Sequence, residues 1–244
     1  MKNATLNSRQ QQFGVLVTTT ALLIAPVSFS AIAQSFPTTS VSLTFPTGDG
    51  RGAPGRTLGI GSRREGCIDP SSAISLTALT PTNNIVKTVA GNPSIYVYVP
   101  AVKGKEAIFR VIDKEAEDIL YQTTVSLDSL PGIFKLSLPE TVQLRSNVTY
   151  EWGFFIQCDP NNPLADEGIE GWLERAELTP EQEREIQQAA ENPLEQAQLY
   201  AEAGVWNETL AIAVRVRNSH PTAWAELLES VGLAPEIAES PMIQ

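Results

Sequence analysis

Apolar and polar residues alternate in short runs between residues 74 and 178, with the period of a half-buried β-strand. Lys135 and Ser137, for instance, alternate with Phe134, Leu136 and Leu138. The pattern predicts strands at residues 74–80, 94–99, 107–113, 119–125, 134–138 and 148–158. Because short turns and no helices separate these strands, we predict a mainly β fold with an antiparallel immunoglobulin-like β-sandwich over residues 74–178.

The last of these strands carries two further signals. Its aromatic residues share a parity with Cys158, which predicts that this cysteine faces the core. Leu144 and Tyr150 have the Leu-x5-Tyr spacing of a tyrosine corner, in which the tyrosine hydroxyl bonds back to the nearby backbone. Both signals favour the sandwich.

Beyond residue 178 the apolar pattern changes to that of helices. Thr179, Pro180 and Gln182 have the spacing of a capping box with proline at the first helical position. Apolar residues then recur at helical spacing. We therefore predict a C-terminal helical region over residues 179–233, followed by a tail at residues 234–244.

Part of this helical region resembles a single tetratricopeptide repeat, which is a helical hairpin. The spacing of Tyr200, Gly204 and Trp206 carries the likeness. Two placements of the hairpin are open, one against the sandwich and one against a partner. In the second case we expect the partner surface to consist of Trp206, Leu210 and Trp224.

The N-terminus has the parts of an export signal. Lys2 and Arg9 precede an apolar stretch that ends in the small-x-small motif AIA. The alternative is a membrane anchor, which the short stretch and Pro26 disfavour. We predict a signal peptide at residues 1–33, a periplasmic or secreted protein, and no membrane span after cleavage.

The chain is acidic, with a formal net charge of −11 at pH 7. Loss of the two cations in the predicted signal peptide would bring the charge to −13. Nucleic acids need basic patches on their partners, so we expect no nucleic-acid partner. We expect instead an unknown protein partner in the cell envelope.

Two cysteines are present, Cys67 and Cys158. In an exported chain they most simply form one disulfide. This bond would tie a Gly/Arg-rich N-terminal segment at residues 34–73, which we call the strap, to the sandwich. We expect no metal and no cofactor, because His220 is the one histidine and neither cysteine has another nearby.

The strap carries four arginines in an otherwise acidic chain: Arg51, Arg56, Arg63 and Arg64. A phosphate loop is not expected, because no helix is predicted after the glycines and the GxGxxG and Gly-Lys-Ser/Thr motifs are absent. We interpret the strap as a tether. The alternative is that these arginines bind an anion or a glycan.

We find no catalytic set and expect that the protein is not an enzyme. A nucleophile would need a base, and the lone histidine is predicted to lie at a helix junction. Four carboxylates lie close together in sequence after the strand predicted at residues 148–158. These carboxylates could serve a hydrolase or bind calcium. They are Asp159, Asp166, Glu167 and Glu170.

Several motifs, taken in order, resemble those of the cyanobacterial family of exported proteins called domain of unknown function 928. They are RGAPGRT at 51–57, GSRREGC at 61–67, LTALTP at 76–81, YVYVP at 96–100, YQTT at 121–124, PGI at 131–133, YEWGF at 150–154, YAEAG at 200–204 and VGL at 231–233. The chain departs from that pattern at Asn207, Glu208 and Thr209. The resemblance implies export and the presence of both cysteines, and it implies no activity.

Together these observations predict an exported, non-catalytic module for protein interaction or association with the envelope. One alternative is an anion- or glycan-binding module that uses the arginines of the strap. A further alternative is a hydrolase that uses the acidic loop after Cys158.

Overall fold

A computed structural model of the chain describes residues 42–46, 67–162 and 165–243, besides Gly14. From residue 42 onward, the described residues belong to one compact unit, Ser40–Gln244. The predicted signal peptide and the four arginines of the strap lie outside the described residues. In the part that is described, no helix is both long enough and apolar enough to cross a membrane.

The protein is mainly β with helices toward the C-terminus. The described strands are β1 (Thr77–Ala78), β2 (Ile85–Thr88), β3 (Ser94–Val99), β4 (Glu106–Asp113), β5 (Asp118–Ser126), β6 (Gly132–Ser137), β7 (Thr149–Ile156), β8 (Glu167–Arg175) and β9 (Met242–Ile243). The helices are α1 (Pro180–Gln188), α2 (Pro193–Glu202), α3 (Trp206–Val216), α4 (Pro221–Ser230) and α5 (Pro235–Ala238).

The strands form two sheets. One has five strands in the order β2-β8-β7-β4-β5, and the other has four in the order β1-β3-β6-β9. Most neighbours are antiparallel, as predicted, but β2 pairs with β8 in parallel and β9 pairs with β6 in parallel. The sheets are therefore mixed, which the expectation of a purely antiparallel fold missed.

Both sheets contribute to one hydrophobic core. Phe109 and Trp152 of the five-stranded sheet and Ile95 and Ile133 of the four-stranded sheet are all buried in it. Along β4, buried side chains such as Phe109 alternate with more exposed ones, which gives that strand the period-2 pattern of a sheet with one buried face. Along β3 both parities are buried, because α3 packs on this sheet from outside.

Strand β8 lies between β2 and β7 inside the five-stranded sheet, where the sequence predicted an acidic loop. Its inward positions include Ile169, Gly171 and Leu173, all buried. A Cβ on Gly171 would come within 2.8 Å of the Trp152 indole, so glycine gives the indole its place in the core. Glutamates at 167, 170 and 174 and glycines at 168 and 171 interrupt the apolar residues, so the strand has no clear hydrophobic pattern.

The local signals for helices and turns are confirmed. Thr179 caps α1, and the side chain of Gln182 returns the capping-box hydrogen bond to the backbone of Thr179. Gly204 and Gly232 follow α2 and α4 with φ of +72° and +70°, a conformation that glycine adopts without strain. The hydroxyl of Tyr150 accepts a hydrogen bond from the backbone N–H of Arg145 at 2.9 Å, as the Leu-x5-Tyr spacing predicts.

The helices pack on the protein's own sheets. The indole N–H of Trp206 donates to the carbonyl of Leu79 at 2.8 Å, and that of Trp224 donates to the carbonyl of Ala238 at 3.0 Å. Trp206, Leu210 and Trp224 are each at most 2% exposed. Of the two open placements, the structure has the first, and these three side chains belong to the core of this chain.

The last residues return to the sheet instead of ending as a plain tail. Residues 234–244 were predicted only as a tail, yet they contain α5 and then β9, which pairs with β6 through Met242 and Ile243. The guanidinium of Arg217 donates to the carbonyl of Ser240 at 3.4 Å. The C-terminal residues thereby become part of the fold beside α3.

The predicted disulfide between Cys67 and Cys158 is confirmed. The two Cα atoms lie 5.2 Å apart, and the bond closes a sequence separation of 91 residues. Cys67 precedes β1, and Cys158 follows β7 on the core side, as its parity predicted. The bond therefore anchors the C-terminal end of the strap to the five-stranded sheet.

Candidate functional site

Each of the four clustered carboxylates has a structural partner. Asp159 accepts from the N–H of Asn161 in a turn, and Asp166 accepts from the N–H of Cys158. Glu170 lies 3.5 Å from a guanidinium nitrogen of Arg110. Each of these contacts stabilises a turn, a loop or a sheet face, so they account for the clustering without a reaction.

The fourth carboxylate, Glu167, lies beside the disulfide. Its Oε1 accepts a hydrogen bond from the N–H of Ile68 at 3.2 Å. One ligand atom from each of Cys67, Cys158 and Glu167 lies within 4.8 Å of the others. Metal coordination needs thiolates, and the two sulfurs here are bonded to each other. The contact therefore holds the C-terminal end of the strap against β8.

A cavity of about 570 Å³ opens between the four-stranded sheet and the helices. Its wall on the sheet includes Tyr96 of β3 and Lys135 of β6, which are directly opposite each other in the β3–β6 register. Its wall on the helices includes Tyr200 of α2 and Arg215 of α3. Elements distant in sequence thus meet around one space.

Three cations line this cavity, which we call the basic cleft after them: Lys135, Arg215 and Arg217. Among the described residues, no carboxylate oxygen lies within 4 Å of a side-chain nitrogen of any of the three. In an acidic chain, this cleft thus gathers three cations against a single carboxylate among its described lining residues, that of Glu208. It is the arrangement that attracts an anion.

The cations occupy these positions for local reasons. Lys135 lies between the buried Phe134 and Leu136, so the strand period turns it to the outer face of the sheet. Arg215 lies in the last turn of α3, where the helix dipole favours a positive charge. Both placements follow from the sequence, but their meeting requires the packing of α3 on the sheet.

Two tyrosines, Tyr96 and Tyr200, also line the cleft. Burial raises the pKa of Tyr96 to about 12, and the nearby charge of Arg215 opposes this rise. Burial is also the main cause that raises the pKa of Tyr200. Both phenols therefore keep their protons at neutral pH and add no negative charge to the cleft.

Glu208 lies at the inner end of the cleft and was missed as a candidate. Its Oε1 accepts hydrogen bonds from the Thr88 hydroxyl at 2.7 Å and from the N–H groups of Val89 and Ala90, each at 3.2 Å. Its Oε2 is buried and has no partner among the described residues. Burial raises the pKa of this carboxyl, while the hydrogen bonds from Thr88, Ala90 and Val89 oppose the rise.

A sequence signal for Glu208 does exist. Glu208, Ile212 and Arg215 recur at i, i+4 and i+7, which makes them one face of α3. The helix has a stronger apolar stripe through Trp206, Leu210 and Ala213, which packs in the core. It is the second face that lines the cleft.

A second cavity, of about 510 Å³, adjoins the basic cleft at Tyr200, which lines both. It lies between the C-terminal end of β8 and helices α1 and α2, and it includes the exposed Glu177 and Glu183. Its cation, Arg175, donates to the carbonyls of Val89 and Leu144. We call this second cavity the acidic cleft.

The chain belongs to the family described as Domain of Unknown Function (DUF928), whose model matches residues 58–242. The match covers β1 to β8, all five helices and the first residue of β9. No curated protein matches the chain. Family membership therefore agrees with the motifs noted in the sequence and assigns no reaction or ligand.

Proposed function

We propose that this protein is a non-catalytic binding module that holds an acidic group of its ligand in the basic cleft. The observation that carries the proposal is the convergence of Lys135, Arg215 and Arg217 on one cavity with no ion-paired carboxylate within 4 Å among the described residues. The proposal keeps the class predicted from the sequence, a non-catalytic interaction module. It moves the anion-binding hypothesis from the strap to the cleft.

The chemistry of the cleft favours a carboxylate or phosphate group attached to a larger body. Guanidinium groups offer paired N–H donors that match the oxygens of such groups. Tyr200, Ile212 and Met242 add apolar surface to the same walls. A ligand with both an acidic group and an apolar part would use all of this surface.

Titration calorimetry tests the proposal with succinate, glucuronate and inorganic phosphate as probes. We expect succinate to bind the wild type with affinity that falls as salt is added, and glucuronate and phosphate show which acidic group binds more tightly. The double variant Lys135→Gln/Arg215→Gln should lose this binding. Arg217 is left in place there, because it also supports the C-terminal residues through Ser240.

A matched control changes the same charge elsewhere. Lys87 and Lys103 are exposed and line neither cleft, so Lys87→Gln/Lys103→Gln should bind the anions like the wild type. A variant with Arg51, Arg56, Arg63 and Arg64 all changed to Gln tests the strap. If that variant alone lost binding, the site would be the strap and our proposal would be wrong.

We also infer that the two sheets form an immunoglobulin-like sandwich, that α2 and α3 form a hairpin like a tetratricopeptide repeat, and that the protein is exported. The hydrogen bond between Tyr150 and Arg145 supports the first. Gly204 between α2 and α3 supports the second, and the disulfide supports the third. Export would place the basic cleft among ligands of the cell envelope.

A further inference from the structure

Tyr200 lies between two cavities of opposite charge. On one side is the basic cleft with Lys135, Arg215 and Arg217, and on the other is the acidic cleft with Glu177 and Glu183. The clefts also touch through a hydrogen bond, because Glu208 lines the first, Val89 lines the second, and the N–H of Val89 donates to Glu208. The two cavities are thus adjacent parts of one surface.

The helices form a common wall of both cavities. Ile186 of α1 lines the acidic cleft and Gln196 of α2 lines the basic cleft, and the side-chain amide of Gln196 donates to the carbonyl of Ile186 at 3.3 Å. Tyr200 lines both cavities, so a ligand that bridges them would pass this side chain. Together they offer about 510 and 570 Å³, more than a single small anion fills.

The free charges of the acidic cleft are negative. Glu177 and Glu183 are exposed, and no cation of the described residues lies within 4 Å of either. Arg175 lies in the same cavity, but its guanidinium donates to two backbone carbonyls. Arg175 keeps its positive charge, but the two exposed glutamates outnumber it, so a positive group of a ligand suits this half.

Charge complementarity across the two clefts restricts the class of ligand. One half selects an acidic group and the other half selects a basic group, so the ligand must carry both signs of charge along an extended backbone. Polypeptides commonly have this property, whereas acidic glycans and phosphates carry one sign alone. We infer that the ligand of this protein is an extended peptide segment with acidic side chains in one half and basic side chains in the other, bound across Tyr200.

This inference rests on the proposed function and adds the acidic cleft to it. Linking two weak contacts in one ligand raises affinity, because the second contact forms at a high effective concentration. A peptide that spans both clefts should therefore bind roughly tenfold to hundredfold more tightly than either half alone. A peptide with the same acidic half but a second acidic half should gain nothing.

Fluorescence anisotropy tests this with three labelled peptides of equal length. The first has aspartates in one half and lysines in the other, joined by neutral residues, and the others are acidic or basic throughout. We expect the mixed peptide to bind the wild type most tightly. Glu177→Gln/Glu183→Gln should reduce its affinity to that of the acidic peptide, without changing the affinity for succinate.

Two further variants keep the result specific. Glu140 and Glu191 are exposed and line neither cleft, so Glu140→Gln/Glu191→Gln should bind the mixed peptide like the wild type. Glu177→Lys/Glu183→Lys should reverse the preference in favour of the acidic peptide. If Glu140→Gln/Glu191→Gln also lost the mixed peptide, binding would depend on net charge and not on the acidic cleft, and the inference would be overturned.

The possible failures are distinguishable. If succinate binds through Lys135 and Arg215 while the mixed peptide binds no better than the acidic one, the peptide inference is wrong and the proposed function stands. If neither succinate nor any peptide binds, both are wrong. If the mixed peptide binds but Glu177→Gln/Glu183→Gln has no effect, the acidic cleft is not part of the site and the inference fails.

Discussion

The carboxylate of Glu208 on α3 lies 2.7 Å from the hydroxyl of Thr88 at the end of β2, across 120 residues of sequence. The same Oε1 also accepts the N–H groups of Val89 and Ala90. One side chain thus joins the helical region to the edge of the five-stranded sheet. It also lines the basic cleft, so the stability of the fold and the charge of the site are linked at this residue.

Glu208→Gln should make stability less dependent on pH. Burial raises the pKa of Glu208 in the folded protein, so its folded form holds a proton that the unfolded chain releases at lower pH. Its contribution to stability is complete below the ordinary pKa of glutamate and is lost as pH rises through the raised pKa. Glutamine keeps the accepting Oε1 and does not titrate, so the stability difference, variant minus wild type, should increase over that rise.

Chemical denaturation at a series of pH values measures this difference. Glu208→Ala is the comparison, because it removes the acceptor of three donors and should be about 1–3 kcal/mol less stable than Glu208→Gln at all pH values. A wild type and a Glu208→Gln variant with parallel pH profiles would contradict the raised pKa.

Asp113→Asn should act in the opposite pH direction. The N–H of Ala116 is the largest cause that lowers the pKa of Asp113, and Arg145 and the N–H of Glu115 add to it. The ionised carboxylate therefore stabilises the fold above its ordinary pKa, and this is lost as pH falls through the lowered value. The variant should be less stable than the wild type at neutral pH, and the gap should close in acid.

The measurement is the free energy of unfolding of both proteins between neutral and acid pH. Arg145→Gln is a useful companion, because it removes the guanidinium that lies 2.7 Å from Asp113 but leaves both backbone donors. It should reproduce part of the effect. A gap in stability that stays constant down to low pH would contradict the lowered pKa of Asp113.

Reduction or replacement of the disulfide should destabilise the protein strongly. Closing a loop of 91 residues restricts the unfolded chain and corresponds to about 4–5 kcal/mol in the chain-entropy model. Cys67→Ser/Cys158→Ser should therefore unfold at a much lower denaturant concentration than the oxidised wild type. Peptide mapping without reductant checks the pairing itself, and a free thiol at either position in the purified protein would contradict it.

Gly168→Ala should destabilise the outer face of the five-stranded sheet. The ring of Phe155 lies over Gly153 and Gly168, and a Cβ at either glycine would overlap it. The guanidinium of Arg110 stacks on the same ring at 4.5 Å from its centroid. We expect a loss of about 1–3 kcal/mol from overpacking. In a Phe155→Ala background, Gly168→Ala should cost less, because the overlap with the ring is gone and the carbonyl of Phe154 at 3.0 Å is the close neighbour that remains.

Local signals predicted much of the fold. Strand β3 has its predicted bounds because its residues are β-branched or aromatic and prolines flank both ends. The cap of α1 follows from Thr179 and Gln182 alone. Strand β8 was missed because glutamates and glycines alternate with its apolar residues, and β9 because two residues carry no period.

The candidate site was beyond the reach of such signals. Lys135 is an ordinary outward residue of a strand, and Arg215 is an ordinary cation near the end of a helix. They meet because Trp206 and the residues after it bury α3 against the sheets. Long-range packing, which no local pattern encodes, therefore creates the basic cleft.

The most direct test of the central claim is an NMR titration of the isotope-labelled protein with succinate. The account predicts saturable shifts at Tyr96, Lys135, Arg215 and Tyr200, and their loss in Lys135→Gln/Arg215→Gln. Shifts confined to Arg51, Arg56, Arg63 and Arg64 of the strap, or no saturable shifts at all, would contradict it.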